Sequence, residues 1–338
     1  MSNLKGHIQK LATGATLSEK EARAAFSLIM SGATTPAQTG AFLMALHLRG
    51  ETVAEITGAA KVLREKAQSI EAPPGAVDTC GTGGDGLGTF NISTTAAIIT
   101  AAAGVAVAKH GNRAVSSQAG SADVLQTLGV NIEAPIEVVQ EVLDRLGITF
   151  LFAARHHSAM RHVAAARGEL GFRSIFNLVG PLANPAGVKR QVLGVFSKEW
   201  VEPVANVLKS LKLEKAWVVH GAGGMDEIST LGPTFVAELD GGRVTTFEIT
   251  PEDAGLERTS LSQIKGGGRL KNSRIIRAIL DGAKGPKTDI ALINAAAALV
   301  VAGKVKTLKD GTALARAALT SGKAKALLAD WVRLSNRT

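Results

Sequence analysis

The spacing of hydrophobic and polar positions changes near residue 70. Before that point, apolar side chains recur at helical intervals, and Pro36 occupies a first helical position, where its missing N–H costs nothing. Three segments begin with a hydroxyl residue followed three positions later by Glu or Gln, which is the capping box: Ser18 with Glu21, Thr35 with Gln38, and Thr52 with Glu55. Glycines follow two of these segments, at Gly32 and Gly50. The pattern predicts an all-helical unit over residues 1–70.

From Ala76 onward, short β-branched runs alternate with helical segments, which is typical of a sheet covered by helices. The predicted strands are 77–79, 105–108, 130–133, 148–152, 192–196 and 217–220, followed by a hairpin of 234–239 and 244–249. The predicted helices are 93–103, 122–128, 136–146, 158–169 and 201–211, with further helix from residue 272. Gly266-Gly267-Gly268 is interpreted as a flexible joint. We therefore predict an α/β fold: a helical domain of 1–70, joined by a segment near 165–188, and a larger α/β domain of 76–338 with a central, mostly parallel sheet.

Composition narrows the class of protein. The chain has 338 residues, of which 46% are hydrophobic and 20% are charged, as expected of a packed globular protein. A single cysteine excludes a disulfide framework, and Met1 to Lys5 leads into no apolar signal segment. The longest apolar stretches, 92–108 and 290–302, are interrupted and fall short of a bilayer span. We expect a cytoplasmic protein without a membrane segment.

The net charge of +9 is unevenly distributed. Residues 258–338 hold sixteen Lys/Arg and four Asp/Glu, so this segment carries +12 and the remainder carries −3. A basic segment raises the hypothesis of nucleic-acid binding. Its only aromatic residue is Trp331, so it has no series of rings on which bases could stack. A solvent-exposed basic helix surface is the favoured interpretation, and nucleic acid is not expected as a partner.

A glycine-rich segment, Cys80 to Thr89, follows the first predicted strand and precedes a helix. Glycines there allow a phosphate to approach backbone N–H groups beside a helix N-terminus. Gly81, Gly83 and Gly86 match the spacing G-x-G-x-x-G, but the carboxylate that a dinucleotide site needs is replaced by the basic cluster 109–113. The segment therefore predicts a site for a phosphorylated ligand. The thiol of Cys80 is interpreted as a small buried filler.

Polar and acidic residues surround this segment. Residues 91–95 place amide and hydroxyl groups at the start of the next helix, and Asp85 within the loop suits ribose hydroxyls or a metal-bound water. Asp226 and Glu227 follow another strand and its glycine turn, at the sheet edge where α/β proteins bind ligands. Hard oxygen ligands beside phosphate predict Mg²⁺. His156, His157 and His162 lack metal-binding spacing, so packing or lining of a substrate pocket is favoured.

Several motifs in order make the sequence resemble the anthranilate phosphoribosyltransferase family. They are residues 81–85 (GTGGD), 91–94 (NIST), 109–113 (KHGNR), 121–125 (SADVL), 176–185 (FNLVGPLANP) and 226–227 (DE). The resemblance spans nearly the whole chain. It implies transfer of phosphoribose from phosphoribosyl pyrophosphate to the amine of anthranilate, a Mg²⁺ cofactor, a helical domain beside an α/β domain, and a homodimer formed through the helical domain.

The resemblance also assigns residues, position by position. Lys109 and Asp85 are implied to be catalytic, Lys109 by stabilising the departing pyrophosphate together with Mg²⁺. Phosphoribosyl pyrophosphate would be held by Gly81, Gly84, Asp85, Thr89, Asn91, Ile92, Ser93, Thr94, Lys109, His110, Gly111, Asn112, Arg113, Ala114, Val115, Ser116, Ser117 and Ser121. Anthranilate would meet Gly81, Asn112 and Arg167, with the arginine pairing its carboxylate. The Mg²⁺ ligands would be Ser93, Asp226 and Glu227.

The chain departs from the family pattern at Ala154, Ser158 and Ala165, where prolines are usual, and at the basic segment 268–271, which is usually acidic. Two other functions stay open. One is a nucleoside phosphorylase of similar fold, which would use phosphate as the nucleophile. The other is a nucleic-acid-binding relative of the transferase, suggested by the +12 segment.

Overall fold

The computed structural model describes residues 3–114 and 118–337. The first four helices are α1 (Leu4–Ala12), α2 (Glu19–Met30), α3 (Pro36–Arg49) and α4 (Val53–Glu65). Helices α2, α3 and α4 each begin with the predicted reciprocal capping box, at Ser18, Thr35 and Thr52. The sequence prediction of these three helix starts is confirmed.

One seven-stranded sheet follows, in the order β3-β2-β1-β4-β5-β6-β7. The strands are β1 (Val77–Gly81), β2 (Val107–Gly111), β3 (Ile148–Phe152), β4 (Arg190–Gly194), β5 (Lys215–Gly221), β6 (Thr234–Asp240) and β7 (Arg243–Ile249). Strands β1 to β5 are mutually parallel, while β6 and β7 pair antiparallel. The predicted mostly parallel sheet is therefore confirmed. Because β1 and β4 lie side by side at the centre, their carboxyl ends open into one cleft.

Within the described residues, twelve further helices surround the sheet. They are α5 (Ile92–Ala102), α6 (Ser121–Leu128), α7 (Ile136–Leu146), α8 (Ala153–His156), α9 (Arg161–Leu170), α10 (Ile175–Val179), α11 (Val201–Ser210), α12 (Leu261–Ile264), α13 (Arg269–Leu280), α14 (Pro286–Val301), α15 (Leu308–Thr320) and α16 (Lys323–Ser335). One face of the sheet packs against α5 and α14. The other face packs against α11, which also contacts α4. None of the helices within the described ranges is both long and apolar enough to cross a membrane.

Helices α9 and α10 pack against the N-terminal helices although they lie more than 100 residues later in the chain. Phe26, on α2, is fully buried and meets Phe42 and Phe176 edge to face at centroid distances of 5.5 and 5.7 Å. Such aromatic contacts stabilise a core beyond the area that they bury. The segment near 165–188 therefore contributes to the helical layer. The division into domains at residues 70 and 76 stays a prediction.

The predicted strand at 130–133 is wrong. Val130 and Ile132 are buried against the core, which accounts for their alternation with polar residues. Asn131 turns the chain instead, because its side chain accepts the N–H of Glu133 at 3.1 Å. Residues 130–133 are not among the strands of the sheet, in which β2 pairs with β1 and β3.

The second predicted strand is displaced. It was expected at 105–108, before the basic cluster, but β2 runs from Val107 to Gly111 and includes Lys109 and His110. Both side chains are buried, with exposed fractions of 2% and 5%. Because neighbouring strand residues point to opposite faces, Lys109 and His110 address different sides of the sheet.

Candidate active site

Four neighbouring strands end in glycine at the carboxyl edge of the sheet: Gly81, Gly111, Gly194 and Gly221. A Cβ built on Gly194 would overlap the backbone carbonyl of Asp226, and one on Gly81 would lie 2.5 Å from Asp226 Oδ2. Real Cβ atoms do not approach other atoms that closely. The acidic segment therefore runs directly over the strand ends, which is possible only because the strands end without side chains.

The glycine-rich loop adopts left-handed backbone conformations at four positions, Gly83, Gly84, Gly86 and Gly88. This curvature turns the N–H of Gly83 toward Asp226 Oδ2, at 2.6 Å. Asp85 stabilises the loop from within, since its Oδ1 accepts the N–H of Leu87 at 3.0 Å. The loop is therefore held by one carboxylate from outside it, Asp226, and by one within it, Asp85.

The N-terminus of α5 is closed by a residue from the other side of the cleft. Asn91 precedes the helix without capping it, and the N–H of Ser93 donates instead to Glu227 Oε1 at 3.1 Å. A carboxylate at this position also interacts favourably with the helix dipole. The predicted acidic pair and the predicted polar helix start therefore lie together. Ile92 and Thr94 are buried to about 1% exposure, so their side chains face the core rather than the cleft.

Burial and neighbouring carboxylates raise the pKa of both Asp226 and Glu227. Burial, followed by the charge of Asp85, raises the pKa of Asp226. Burial, followed by the charge of Asp226, raises the pKa of Glu227, and Lys109 opposes that rise. A positive charge placed beside these two acids would favour their ionised forms. Among the described residues no set of three His, Cys, Asp or Glu side chains forms a complete metal cage.

Lys109 reaches the cleft from within the sheet. Its Nζ donates to the carbonyl of Thr79 and to Ser93 Oγ, the latter at 3.3 Å. The ammonium group therefore lies between the end of β1 and the start of α5, close to Glu227. This location gives Lys109 two roles: it holds the two segments together, and it supplies the positive charge next to the acids.

Other residues of the basic cluster are used differently. His110 faces away from Lys109, its ring meeting that of His157 at a centroid distance of 5.1 Å. The Arg113 guanidinium forms ion pairs with Asp123 at 3.2 Å and Glu133 at 3.3 Å, while Ala114 N–H donates to Asp123 at 3.0 Å. The sequence prediction placed His110, Arg113 and Ala114 at the phosphate ligand. It also placed Val115, Ser116 and Ser117 there, and these lie outside the described residues.

The residues predicted for the acceptor lie on two segments. Asn112 follows β2, and its carbonyl accepts the Ser121 hydroxyl at 3.3 Å. Arg167, in the last turn of α9, has its guanidinium carbon 5.4 Å from the centre of the Phe176 ring. Burial lowers the pKa of Arg167. An arginine partly removed from water pairs strongly with a planar carboxylate.

Two residues that hold the loop were not predicted from the sequence. Arg173 donates to the carbonyl of Gly84 and places its guanidinium carbon 4.5 Å from the centre of the Phe196 ring. Asn272, at the start of α13, hydrogen-bonds to Asn91 at 2.9 Å. Both come from segments far away in sequence, so spacing alone carries no signal for them. For Asn272, the nearest unusual feature in the sequence is the basic segment 268–271, which directly precedes it.

Gly266-Gly267-Gly268 is packed against the loop and is not a free joint. The N–H of Gly266 donates to the Gly88 carbonyl at 2.9 Å, and Lys265 forms a β-bridge with Thr89. A Cβ on Gly266 would lie 2.6 Å from the backbone of Phe90. The expectation of a flexible joint did not anticipate this contact, because the partner lies about 175 residues earlier.

Comparison with known proteins agrees with this architecture. Residues 5–67 match the helical bundle domain of a glycosyl transferase family, and residues 73–325 match its α/β domain. The chain is 56% identical over 335 residues to the anthranilate phosphoribosyltransferase of Paramagnetospirillum magneticum, covering 99% of this chain and 97% of the relative. It is 57% identical over 333 residues to that of Rhodospirillum rubrum, covering 98% and 96%.

Solved structures agree as well. The anthranilate phosphoribosyltransferase of Thermus thermophilus superimposes with a TM-score of 0.93 at 47% identity, covering 98% of this chain and 99% of the other. The Saccharomyces cerevisiae enzyme in complex with PRPP and Mg gives a TM-score of 0.91 at 29% identity, covering 98% and 97%.

A helical bundle beside a mostly parallel sheet, with a glycine-rich loop facing an acidic pair, defines a glycosyltransferase of the pentosyl-transferring class. Within that class, the chain belongs to the anthranilate phosphoribosyltransferase family. None of the relatives named above is a nucleoside phosphorylase or a nucleic-acid-binding protein.

Proposed function

We propose that the cleft at the carboxyl ends of β1 and β4 transfers phosphoribose from phosphoribosyl pyrophosphate to the amine of anthranilate, with release of pyrophosphate. The observation that carries this proposal is the glycine loop, bent by four left-handed glycines and faced by Asp226 and Glu227. Backbone N–H groups suit phosphate, and acids beside them suit a bridging cation.

Magnesium fits this site by the chemistry of its donors. Asp226, Glu227 and Ser93 would hold the ion, since two neighbouring carboxylates and a hydroxyl offer hard oxygen ligands. Mg²⁺ takes one or two protein carboxylates and completes its shell with water and substrate phosphates. When bound, the ion would neutralise charge on the pyrophosphate group.

Lys109 and Asp85 have separate roles in this proposal. Lys109 holds the end of β1 against α5 and lends positive charge to the side from which pyrophosphate leaves. Asp85 accepts the N–H of Leu87 within the loop and would interact with the ribose hydroxyls or a metal-bound water. The remaining donor contacts would come from Gly81, Gly84, Thr89, Asn91, Asn112 and Ser121.

The acceptor would lie between Arg167, Asn112 and Gly81. Arg167 would pair with the anthranilate carboxylate and so direct the amine toward C1 of the ribose. The amine nitrogen forms the new bond to C1 as the bond from C1 to pyrophosphate breaks, and the nitrogen then loses its proton. An aniline nitrogen is already a free nucleophile at neutral pH, so the step needs no strong base.

We further propose a cytoplasmic homodimer formed through the helical layer. Met44 and Leu48 on α3 are exposed to 37% and 78%, one turn apart on the same face of the helix. Ala37 and Ala41 continue that face toward the N-terminus. An apolar stripe of this kind is suited to the self-complementary contact of a twofold dimer.

The central test is direct. The purified chain, incubated with Mg²⁺, phosphoribosyl pyrophosphate and anthranilate, should consume anthranilate, followed as loss of its fluorescence. Lys109→Ala should lower the turnover number by about a hundredfold or more, because it removes charge that stabilises the leaving group. Lys306→Ala, at an exposed lysine before α15, is the matched control and should leave turnover unchanged. Failure of the wild-type chain to consume anthranilate would refute the proposal.

A further inference from the structure

The buried side chain of Asn272 lies outside the proposed substrate contacts but is bonded to one of them. We infer that Asn272 is a positioning residue for the phosphoribosyl pyrophosphate site, acting by fixing the side-chain amide of Asn91. The inference rests on the proposed function, since Asn91 acquires this role only if the cleft binds that donor.

A chain of hydrogen bonds sets the orientation of both amides. Asn272 is 1% exposed; its Oδ1 accepts the N–H of Gly267 at 2.9 Å, and its Nδ2 donates to Asn91 Oδ1 at 2.9 Å. Asn91 Nδ2 then donates to the carbonyl of Ala119 at 3.1 Å. Reversing the amide of Asn91 would place N–H against N–H on one side and oxygen against oxygen on the other. Each partner therefore excludes the alternative orientation of the next.

The same chain joins three segments around the donor site. Gly267 belongs to the turn whose neighbour Gly266 holds the Gly88 carbonyl, at the end of the glycine loop. Asn91 precedes α5, whose first turn meets Glu227 through Ser93. Ala119 lies just before α6, whose first residue, Ser121, is another predicted contact of phosphoribosyl pyrophosphate. Asn272 thus links the Asn91 side chain to the C-terminal part of the chain.

This geometry leaves Asn91 with unused hydrogen-bonding capacity. The amide still has one N–H and one oxygen lone pair after its bonds to Asn272 and Ala119. Because its orientation is already set, binding the donor would cost no further ordering of this side chain. Loss of Asn272 should therefore weaken the binding of phosphoribosyl pyrophosphate. The binding of anthranilate at Arg167 should be unaffected.

The test uses Asn272→Asp and Asn272→Ser in the full-length chain. Asn272→Asp keeps an oxygen for Gly267 but presents oxygen, not N–H, to Asn91 Oδ1. Asn272→Ser is smaller and provides a second folded variant. We expect the KM for phosphoribosyl pyrophosphate to rise about tenfold, equal to about 1.4 kcal/mol, while the KM for anthranilate stays within twofold. The thermal shift produced by Mg²⁺ with pyrophosphate should shrink in parallel.

Ser335→Ala is the matched control for loss of a buried hydrogen bond. Its hydroxyl is on a residue 3% exposed and accepts the N–H of Asn131 at 3.1 Å, in a contact that involves neither Asn272 nor Asn91. This variant should lose thermal stability without changing either KM. In a double-mutant cycle, the effect of Asn272→Asp on donor KM should largely vanish in an Asn91→Ala background, because the two side chains act as one unit.

The possible outcomes distinguish the positioning role of Asn272 from the proposed function. If the wild type turns over and the Asn272 variants lose only thermal stability, with unchanged KM values, the positioning role is refuted and the proposed function stands. Additive effects in the cycle would also refute it. If the wild type shows neither turnover nor a thermal shift with Mg²⁺ and pyrophosphate, the proposed function fails and this inference fails with it.

Discussion

Gly194 lies where the main chain of Asp226 crosses the carboxyl end of β4. A methyl group there would occupy the space of the Asp226 carbonyl, so Gly194→Ala must displace the acidic segment or the strand. Because misplacing a catalytic contact by about 1 Å can cost about a hundredfold, we expect turnover to fall by at least that factor. Steady-state assays with anthranilate measure the loss.

The control for Gly194→Ala is another glycine-to-alanine change. Gly6 lies inside α1, and a Cβ there meets nothing within 4 Å. Gly6→Ala should keep full activity and raise the free energy of unfolding by about 0.5–1 kcal/mol, since alanine favours helix. Equal activity of the Gly194→Ala variant would show that Asp226 is not held where the structure places it.

The Glu227 carboxylate is expected to destabilise the unliganded protein and to strengthen the binding of Mg²⁺ with phosphoribosyl pyrophosphate. Its carboxylate is buried beside Asp226, and this raises its pKa because the charged form is disfavoured. Glu227→Gln removes that charge and keeps an oxygen for the Ser93 N–H. Without Mg²⁺ at pH 8, the variant should therefore unfold at a higher temperature than the wild type. With Mg²⁺ and phosphoribosyl pyrophosphate, the order should reverse, and activity should be lost; thermal unfolding with and without both ligands tests the exchange.

At the scale of single residues, the sequence predicted candidate groups for the chemistry but not the residues that position them. Gly81, Asp85, Asp226 and Glu227 were predicted because loop glycines and acids leave local patterns. Arg173 and Asn272 were missed because they act through contacts with segments 89 and 181 positions away. A contact of that separation is a product of the fold, and no local pattern records it.

At the scale of elements, buried polar side chains explain why the second predicted strand was displaced. Lys109 and His110 read as the polar end of a strand, yet β2 continues through both. Lys109 is tolerated because it has oxygen partners on Thr79 and Ser93. The helix starts, in contrast, were predicted well, because a capping box is complete within four residues.

The contact between His110 on β2 and His157, the residue after α8, makes stability depend on pH. Burial, followed by the charge of His156, lowers the pKa of His157 to about 4, and burial also lowers that of His110. The unfolded chain binds a proton on His157 near pH 6.5, but the folded chain does so only near pH 4. Falling pH therefore favours unfolding through that window, by about 2 kcal/mol at pH 5 for this one group.

Urea unfolding at pH 7 and pH 5 measures this dependence. His157→Gln should lose clearly less stability between the two values than the wild type, since it removes one of the groups that gain protons on unfolding. His47→Gln changes an exposed histidine stacked on Phe172 and should keep the wild-type difference. If all three proteins lost the same free energy, His157 would not contribute to the acid sensitivity, which would then come from other groups such as His110.

At the scale of the whole molecule, the excess positive charge and most of the large exposed apolar side chains lie on different parts of the chain. The +12 of residues 258–338 lies largely on exposed helix positions such as Arg269, Lys271 and Arg274 on α13, as the sequence suggested. The largest exposed apolar side chains lie mostly on α3, at the opposite end of the chain. Self-association should therefore use the helical layer, where apolar contact is available and mutual charge repulsion is small.

Leu48→Glu tests that arrangement. Burying a carboxylate against an apolar partner surface is costly, so the variant should elute as a monomer of 34.9 kDa where the wild type has twice that mass by light scattering. Leu270→Glu is the matched control, because Leu270 is also an exposed leucine, 63% accessible, but lies on α13. It should leave the mass unchanged. Since every proposed substrate contact comes from one chain, the Leu48→Glu monomer should still bind Mg²⁺ with phosphoribosyl pyrophosphate, and a wild type that is itself monomeric would refute the dimer.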